Sequence, residues 1–143
     1  MPKARTPKRR RRSLSSVEAN FRQLFRVYQR SATRRRLPFE LSPERFRELT
    51  KSCCLLCGAK PASKYRHDKT SRGYLRPYVY NGIDRMNNRE GYVDGNCAPC
   101  CSRCNYAKGT SSLEEFLLYI NRVYENVIKP ALAEGWNDEE TDL

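Results

Sequence analysis

Three features place this chain in the α+β class. Residues 81–108 read as strand, loop, strand and helix in succession. Amphipathic helical repeats lie on both sides of them, and Cys-x-x-Cys pairs stand near the start and the end of the strand-rich stretch. Together they predict a small mixed core, closed by a four-cysteine structural zinc site and flanked by N-terminal and C-terminal helices. Four segments are expected: a basic disordered tail over 1–14, a basic helical region over 15–52, a zinc-containing domain with a C-terminal packing helix over 53–130, and an acidic tail over 131–143.

The 143 residues have room for one domain plus tails, and a hydrophobic fraction of 38% leaves little for a large core. A cross-link of another kind is therefore expected, and seven cysteines supply it. With neither an apolar leader segment nor a run long enough to span a bilayer, the chain reads as intracellular, cytoplasmic in a bacterial or phage setting and nuclear in a eukaryotic one. In such a compartment paired Cys-x-x-Cys units point to metal ligands before disulfides.

Charge is unevenly placed. Thirteen of the 28 Lys and Arg lie within residues 1–36 beside a single acid, Glu18, so that quarter carries the whole net charge of +12. A polyanion is its natural partner; DNA is the expected one, and RNA fits as well because such tails grip phosphates without reading sequence. Arg9, Arg10, Arg11 and Arg12 form the densest run. From Ser15 the pattern turns helical, with Ser15 and Glu18 at capping-box spacing and Leu14 placed for a hydrophobic staple. Val17, Phe21, Leu24, Phe25 and Tyr28 make an apolar stripe for docking. Arg22, Arg26, Arg30 and Arg34 recur at four and make a basic one suited to phosphate. Leu37-Pro38 ends this helix, and Ser42-Pro43-Glu44 starts the next with an N-cap, a proline at the first position and an acid at the positive end of the dipole.

After Lys108 and Gly109, Ser111 and Glu114 have capping-box spacing. Leu113, Phe116, Leu117, Ile120, Val123, Tyr124, Val127 and Ile128 follow at helical intervals until Pro130. This is the most strongly amphipathic segment of the chain. It is expected to pack behind the strands, with homodimer formation as a second use.

Between these helices the stretch from Asn81 to Lys108 carries Ile83-Asp84-Arg85, Gly91-Tyr92, Asn96, Cys100-Cys101, Cys104-Asn105 and Lys108. These residues resemble the HNH, or ββα-metal (His-Me finger), nuclease family, in the small phage and bacterial branch marked by IDR, GY, N and CC-x-x-CN-x-x-K. The resemblance covers these 28 residues and extends upstream to Cys54-Leu55-Leu56-Cys57-Gly58. It implies a ββα-metal core that hydrolyses DNA phosphodiesters, with its helix presented to the minor groove.

Cys54, Cys57, Cys101 and Cys104 are the expected zinc ligands, a closed tetrahedral and hence structural shell. Spacing alone leaves Cys97-x-x-Cys100 as a competing pair and Cys53 as a substitute for Cys54, and a second site from Cys53, Cys97, Cys100 and His67 as a lesser alternative. The resemblance favours Cys101 with Cys104. It further implies that Asp84 and Asn105 hold a catalytic magnesium or manganese ion from opposite sides, that Asn96 braces the loop against the first strand, and that Lys108 faces the phosphate. Arg85 stands where most of the family has the histidine that deprotonates water. Arginine cannot do so near neutral pH, and a phosphate clamp is its expected role. His67, the single histidine, Tyr78, Tyr80 or water activated by the metal alone are the candidates for the base.

Overall fold

The computed structural model describes residues 16–66 and 76–136. The expected tail arginines Arg9–Arg12, the Leu14 staple, the Ser15 cap, His67 and the acidic residues beyond Trp136 lie outside the described residues. The described chain is a mixed α+β fold with two small antiparallel sheets. Helices α1 (Ser16–Arg34) and α2 (Pro43–Lys51) precede strands β1 (Ser63–Tyr65), β2 (Tyr78–Tyr80), β3 (Gly82–Arg85) and β4 (Cys97–Cys100). Helices α3 (Ser102–Lys108), α4 (Leu113–Val123) and α5 (Lys129–Ala133) follow.

α2 begins as its sequence dictates: Ser42 accepts the Arg45 N–H at 3.1 Å and Pro43 opens the first turn. The stripe on α1 docks on it. Phe46 is fully buried, with the rings of Phe25 and Tyr28 at 5.2 and 5.0 Å and that of Phe21 at 6.0 Å. Tyr78, Ile83 and Tyr92 complete this cluster from the strand side. The helical region before residue 53 and the strands after it thus share one core.

β3 pairs with β4 from Gly82 opposite Cys100 to Arg85 opposite Cys97, and α3 leaves directly from the end of β4. Asn81 lies between strands of different sheets. Its N–H donates to the Thr50 carbonyl and its amide to the carbonyls of Ser52 and Ala59. Gly91 meets the linker between α1 and α2 so closely that a Cβ there would lie 2.1 Å from the Pro38 carbonyl oxygen.

Three expectations for the C-terminal segment need correction. The capping box forms one residue later than spacing suggests, between Ser112 and Glu115, each bonded to the other's backbone N–H. The helix does not stop at Pro130: a π-helical turn, Tyr124–Ile128, leads into α5, where Pro130 sits in the first turn and its missing N–H costs nothing. Nor does the segment pack behind the strands, since Phe116 is its only buried side chain among the described residues. No described helix is long and apolar enough to cross a membrane.

Truncating Phe46 to Ala should empty the centre of the aromatic cluster and destabilise the fold by about 3–5 kcal/mol, read as a lower denaturation midpoint in urea.

Candidate metal centre and active site

The four sulfurs of Cys54, Cys57, Cys101 and Cys104 all lie within 4.8 Å of one another, and Cys57 and Cys101 are 3.7 Å apart. A tetrahedron with metal–sulfur bonds of about 2.3 Å has edges of about 3.8 Å, so this cluster can hold a structural metal ion of zinc's size. Each pair is shaped by its backbone. After Cys57 the chain turns through Gly58 at φ +73°, a conformation that favours glycine, and the Gly58 N–H returns to the Cys54 carbonyl at 2.9 Å. The Leu55 N–H donates to Pro99 on β4 at 2.8 Å, which docks the first pair beside the second. Cys101 caps α3, its sulfur accepting the Cys104 N–H at 3.4 Å.

Electrostatics differ from one clustered thiol to the next. Burial acts to raise the Cys54 thiol, but N–H donors of Cys101, Cys57 and Leu56 outweigh it and bring the pKa down to about 6. Burial, followed by the neighbouring Cys57, Cys101 and Cys54 thiols, drives Cys104 well above the ordinary range. Four thiols so close cannot all ionise without a cation among them. Cys97 and Cys100 are buried outside the cluster and burial raises them to about 11 and 12, so both stay protonated at neutral pH. What takes the pair Cys97-x-x-Cys100 out of the metal knuckle is position, since the sulfurs that lie mutually within 4.8 Å are those of Cys54, Cys57, Cys101 and Cys104. Cys53 is exposed and outside it too.

Across β3 from the thiols lies a cavity of about 540 Å³, lined by Asp84 of β3, Asn105 of α3, and Arg85 and Asn88. Tyr28 and Arg35 close it from α1 and its C-terminal turn. No motif points to Tyr28, Ser31 or Arg35 as cavity residues; the docking stripe on α1, extended by one turn, is the signal that holds them. Asp84 and Asn105 thus open onto one space that two arginines also line.

Asn96 sits where the loop closes. Its amide oxygen accepts the Asn87 N–H at 2.8 Å and its amide nitrogen donates to the carbonyls of Asn87 and Gly91. Arg85 is not the free clamp its position suggests. It donates to the carbonyls of Asn88 and Glu90 at 2.7 and 2.9 Å, because those loop carbonyls have few other donors, though it still borders the cavity. Lys108 does not face outward either. Its ammonium is fully buried, 2.7 Å from the Ser111 carbonyl and 3.3 Å from Asp84 Oδ2.

Tyr78 is sealed in the core, 2.8 Å from the Thr50 hydroxyl, and cannot meet a substrate. Tyr80 is half-buried and burial raises its pKa, as it does for Tyr28, so neither phenol suits a base at neutral pH. The basic stripe is also divided. Arg22 pairs with Glu18 at 3.0 Å and, with Arg26, lines the groove between α1 and α2, whereas Arg30 is exposed and lines neither.

No family model matches the chain, and no solved structure does. A stretch of 112 residues is 33% identical to an uncharacterized protein of Acanthamoeba polyphaga mimivirus, taking in 76% of this chain. The chain matches 18% of that much longer relative.

Cys57→Ser should lower bound metal from one ion per chain to substoichiometric levels and lower the melting temperature, as should a strong chelator on the wild type. Acid should release the metal, since protons compete for the thiolates; metal content by atomic emission after dialysis at about pH 8 and about pH 5 checks this.

Proposed function

We propose that this chain is a metal-dependent DNA endonuclease of the HNH (ββα-metal) type, held together by a structural zinc on its four clustered thiols. The observation that carries the reading is that Asp84 and Asn105, on the first strand and the helix of a strand–loop–strand–helix unit, line one open cavity with Arg35 and Arg85. A carboxylate and an amide oxygen suit a hard divalent ion, magnesium or manganese, while leaving most of its positions to water and substrate. Held by these two residues, such an ion would supply charge neutralisation at the phosphate and at the leaving oxygen. With no histidine among the described cavity residues, metal-activated water is the nucleophile that needs no protein base.

The two arginines divide the remaining work. Arg85 fixes the loop carbonyls and thereby the rim, and Arg35, brought by α1, supplies a cation for a non-bridging phosphate oxygen. The basic residues of the N-terminal quarter, Arg9–Arg12 foremost, raise the local concentration of DNA.

One observation favours a second reading, a non-catalytic zinc module that binds DNA or RNA. Lys108 already gives Asp84 a buried cationic partner at 3.3 Å, so this carboxylate is neutralised without a second metal. Supercoiled plasmid separates the two. The enzyme nicks it with magnesium or manganese and not with a chelator, and Asp84→Ala or Asn105→Ala lowers the rate by more than about a hundredfold with zinc content unchanged. Binding without nicking under any divalent ion leaves the module.

Removing residues 1–12 should weaken DNA binding and flatten its dependence on salt, as measured by fluorescence anisotropy between about 50 and 200 mM salt.

A further inference from the structure

One wall of the cavity beside Asp84 belongs to α1, and it is built of hydrogen-bond donors. Tyr28, Ser31 and Arg35 stand at i, i+3 and i+7, so they follow one another along one face, and the bonds from the Arg35 N–H to the Ser31 and Ala32 carbonyls carry that face past the end of the helix. Each has a hydrogen to give. In the β3–β4 ladder the Met86 N–H donates to the Asn96 carbonyl at 2.9 Å, so alternation makes Gly82 and Asp84 bonded positions as well and turns the Ile83 N–H outward. The Tyr28 hydroxyl oxygen accepts it at 3.2 Å. That bond fixes the oxygen and leaves its own proton without an acceptor among the described residues. Ser31 makes no bond back to the preceding turn, whereas Thr33 on the same helix does at 3.0 Å. Arg35 has no acidic partner among the described residues.

The same cavity is lined by Asp84 and Asn105, its oxygen donors toward a cation. Asp84 is the one acid among the lining residues and Lys108 already stands 3.3 Å from it, so Arg35 and Arg85 leave the space positive before any metal enters. An anion with several acceptor oxygens satisfies such a wall. We propose that a backbone phosphate of bound DNA lies against α1, accepting from the Tyr28 hydroxyl, the Ser31 hydroxyl and the Arg35 guanidinium. The three span about 10 Å along the helix, the reach of a strand rather than of a lone ion. Burial keeps the phenol protonated, and hence a donor, at neutral pH. This contact deepens the nuclease reading, on which it rests for the presence of DNA in the cavity, yet it does not require that the DNA be cut.

Fluorescence anisotropy of a labelled DNA duplex with the full zinc-loaded chain, without magnesium or manganese, reads the contact apart from any cleavage. Tyr28→Phe keeps the ring against Phe46 and Tyr92 and removes only the hydroxyl. Combined with Ser31→Ala it should raise Kd about tenfold at fixed salt and leave the slope of log K against log salt unchanged, since no charge is lost. Arg35→Gln should raise Kd and flatten that slope by about 0.9, the share of one phosphate. Inorganic phosphate should displace the duplex no better than chloride at equal ionic strength. Where loss of the Ile83 bond disturbs the fold, seen as altered circular dichroism or zinc content, Ser31→Ala alone should still weaken binding severalfold at unchanged slope, because Ser31 lies outside the core. An unchanged Kd in the Tyr28 and Ser31 variants overturns the hydroxyl contacts, and an unchanged slope in Arg35→Gln overturns that of the arginine. A duplex the wild type does not bind, or inorganic phosphate that outcompetes chloride, overturns the backbone contact as a whole. Binding as described with no nicking in magnesium upholds the wall and removes only the endonuclease reading.

Discussion

The geometry of this protein depends on four thiols gathered within 4.8 Å from two turns that are 44 residues apart along the chain at their nearest members, Cys57 and Cys101. A two-stranded ladder of four residues a side has little stability of its own, and β3–β4 is such a ladder. What holds it is attachment at its end: the first cysteine turn bonds to β4 through Leu55, and the second continues β4 into α3. A metal among the thiols contributes on the order of 10 kcal/mol in small zinc domains, comparable with the entire stability of an ordinary one. Asn81 extends that attachment to β3, since it bonds to carbonyls on both sides of the first cysteine turn immediately before the strand begins.

The aromatic cluster around Phe46 is the second support, and it works on the opposite side. It fastens α1 and α2 to Tyr78, Ile83 and Tyr92, so that the far end of α1 reaches the cavity beside Asp84. One face of β3 thus answers to the core and its end to the thiols. Asp84 lies between them, in contact with Lys108 from the helix that carries Cys104 and is capped by Cys101.

Features set by near neighbours along the chain are legible in the amino-acid sequence. Ser42 and Pro43 start α2 because cap and proline act within one turn, and the Cys-x-x-Cys pairs announce a thiol site, although spacing alone leaves Cys97 with Cys100 as a rival to the Cys101 and Cys104 that join it. The places where the sequence misleads are those decided at long range or by a neighbour of equal merit. Helical spacing puts Lys108 one turn past Asn105 but says nothing of the Ser111 carbonyl that draws its ammonium inward. Strand propensity marks Tyr78 without showing that Thr50 and Phe21 enclose it. The amphipathic pattern after Leu113 reveals a face in need of cover, and periodicity alone does not say whose atoms supply it. Ser111 and Ser112 both offer a cap, and local spacing cannot choose between them.

The Gly91–Pro38 contact couples two parts of the molecule that the sequence keeps far apart. The Gly91 backbone lies against both the carbonyl and the ring of Pro38, the Tyr92 N–H donates to the Pro38 carbonyl, and the Glu40 N–H donates to that of Tyr92. A tilt of α1 against α2 would therefore be passed on to Asn96, whose amide donates to the Gly91 carbonyl, and so to the loop that closes between β3 and β4.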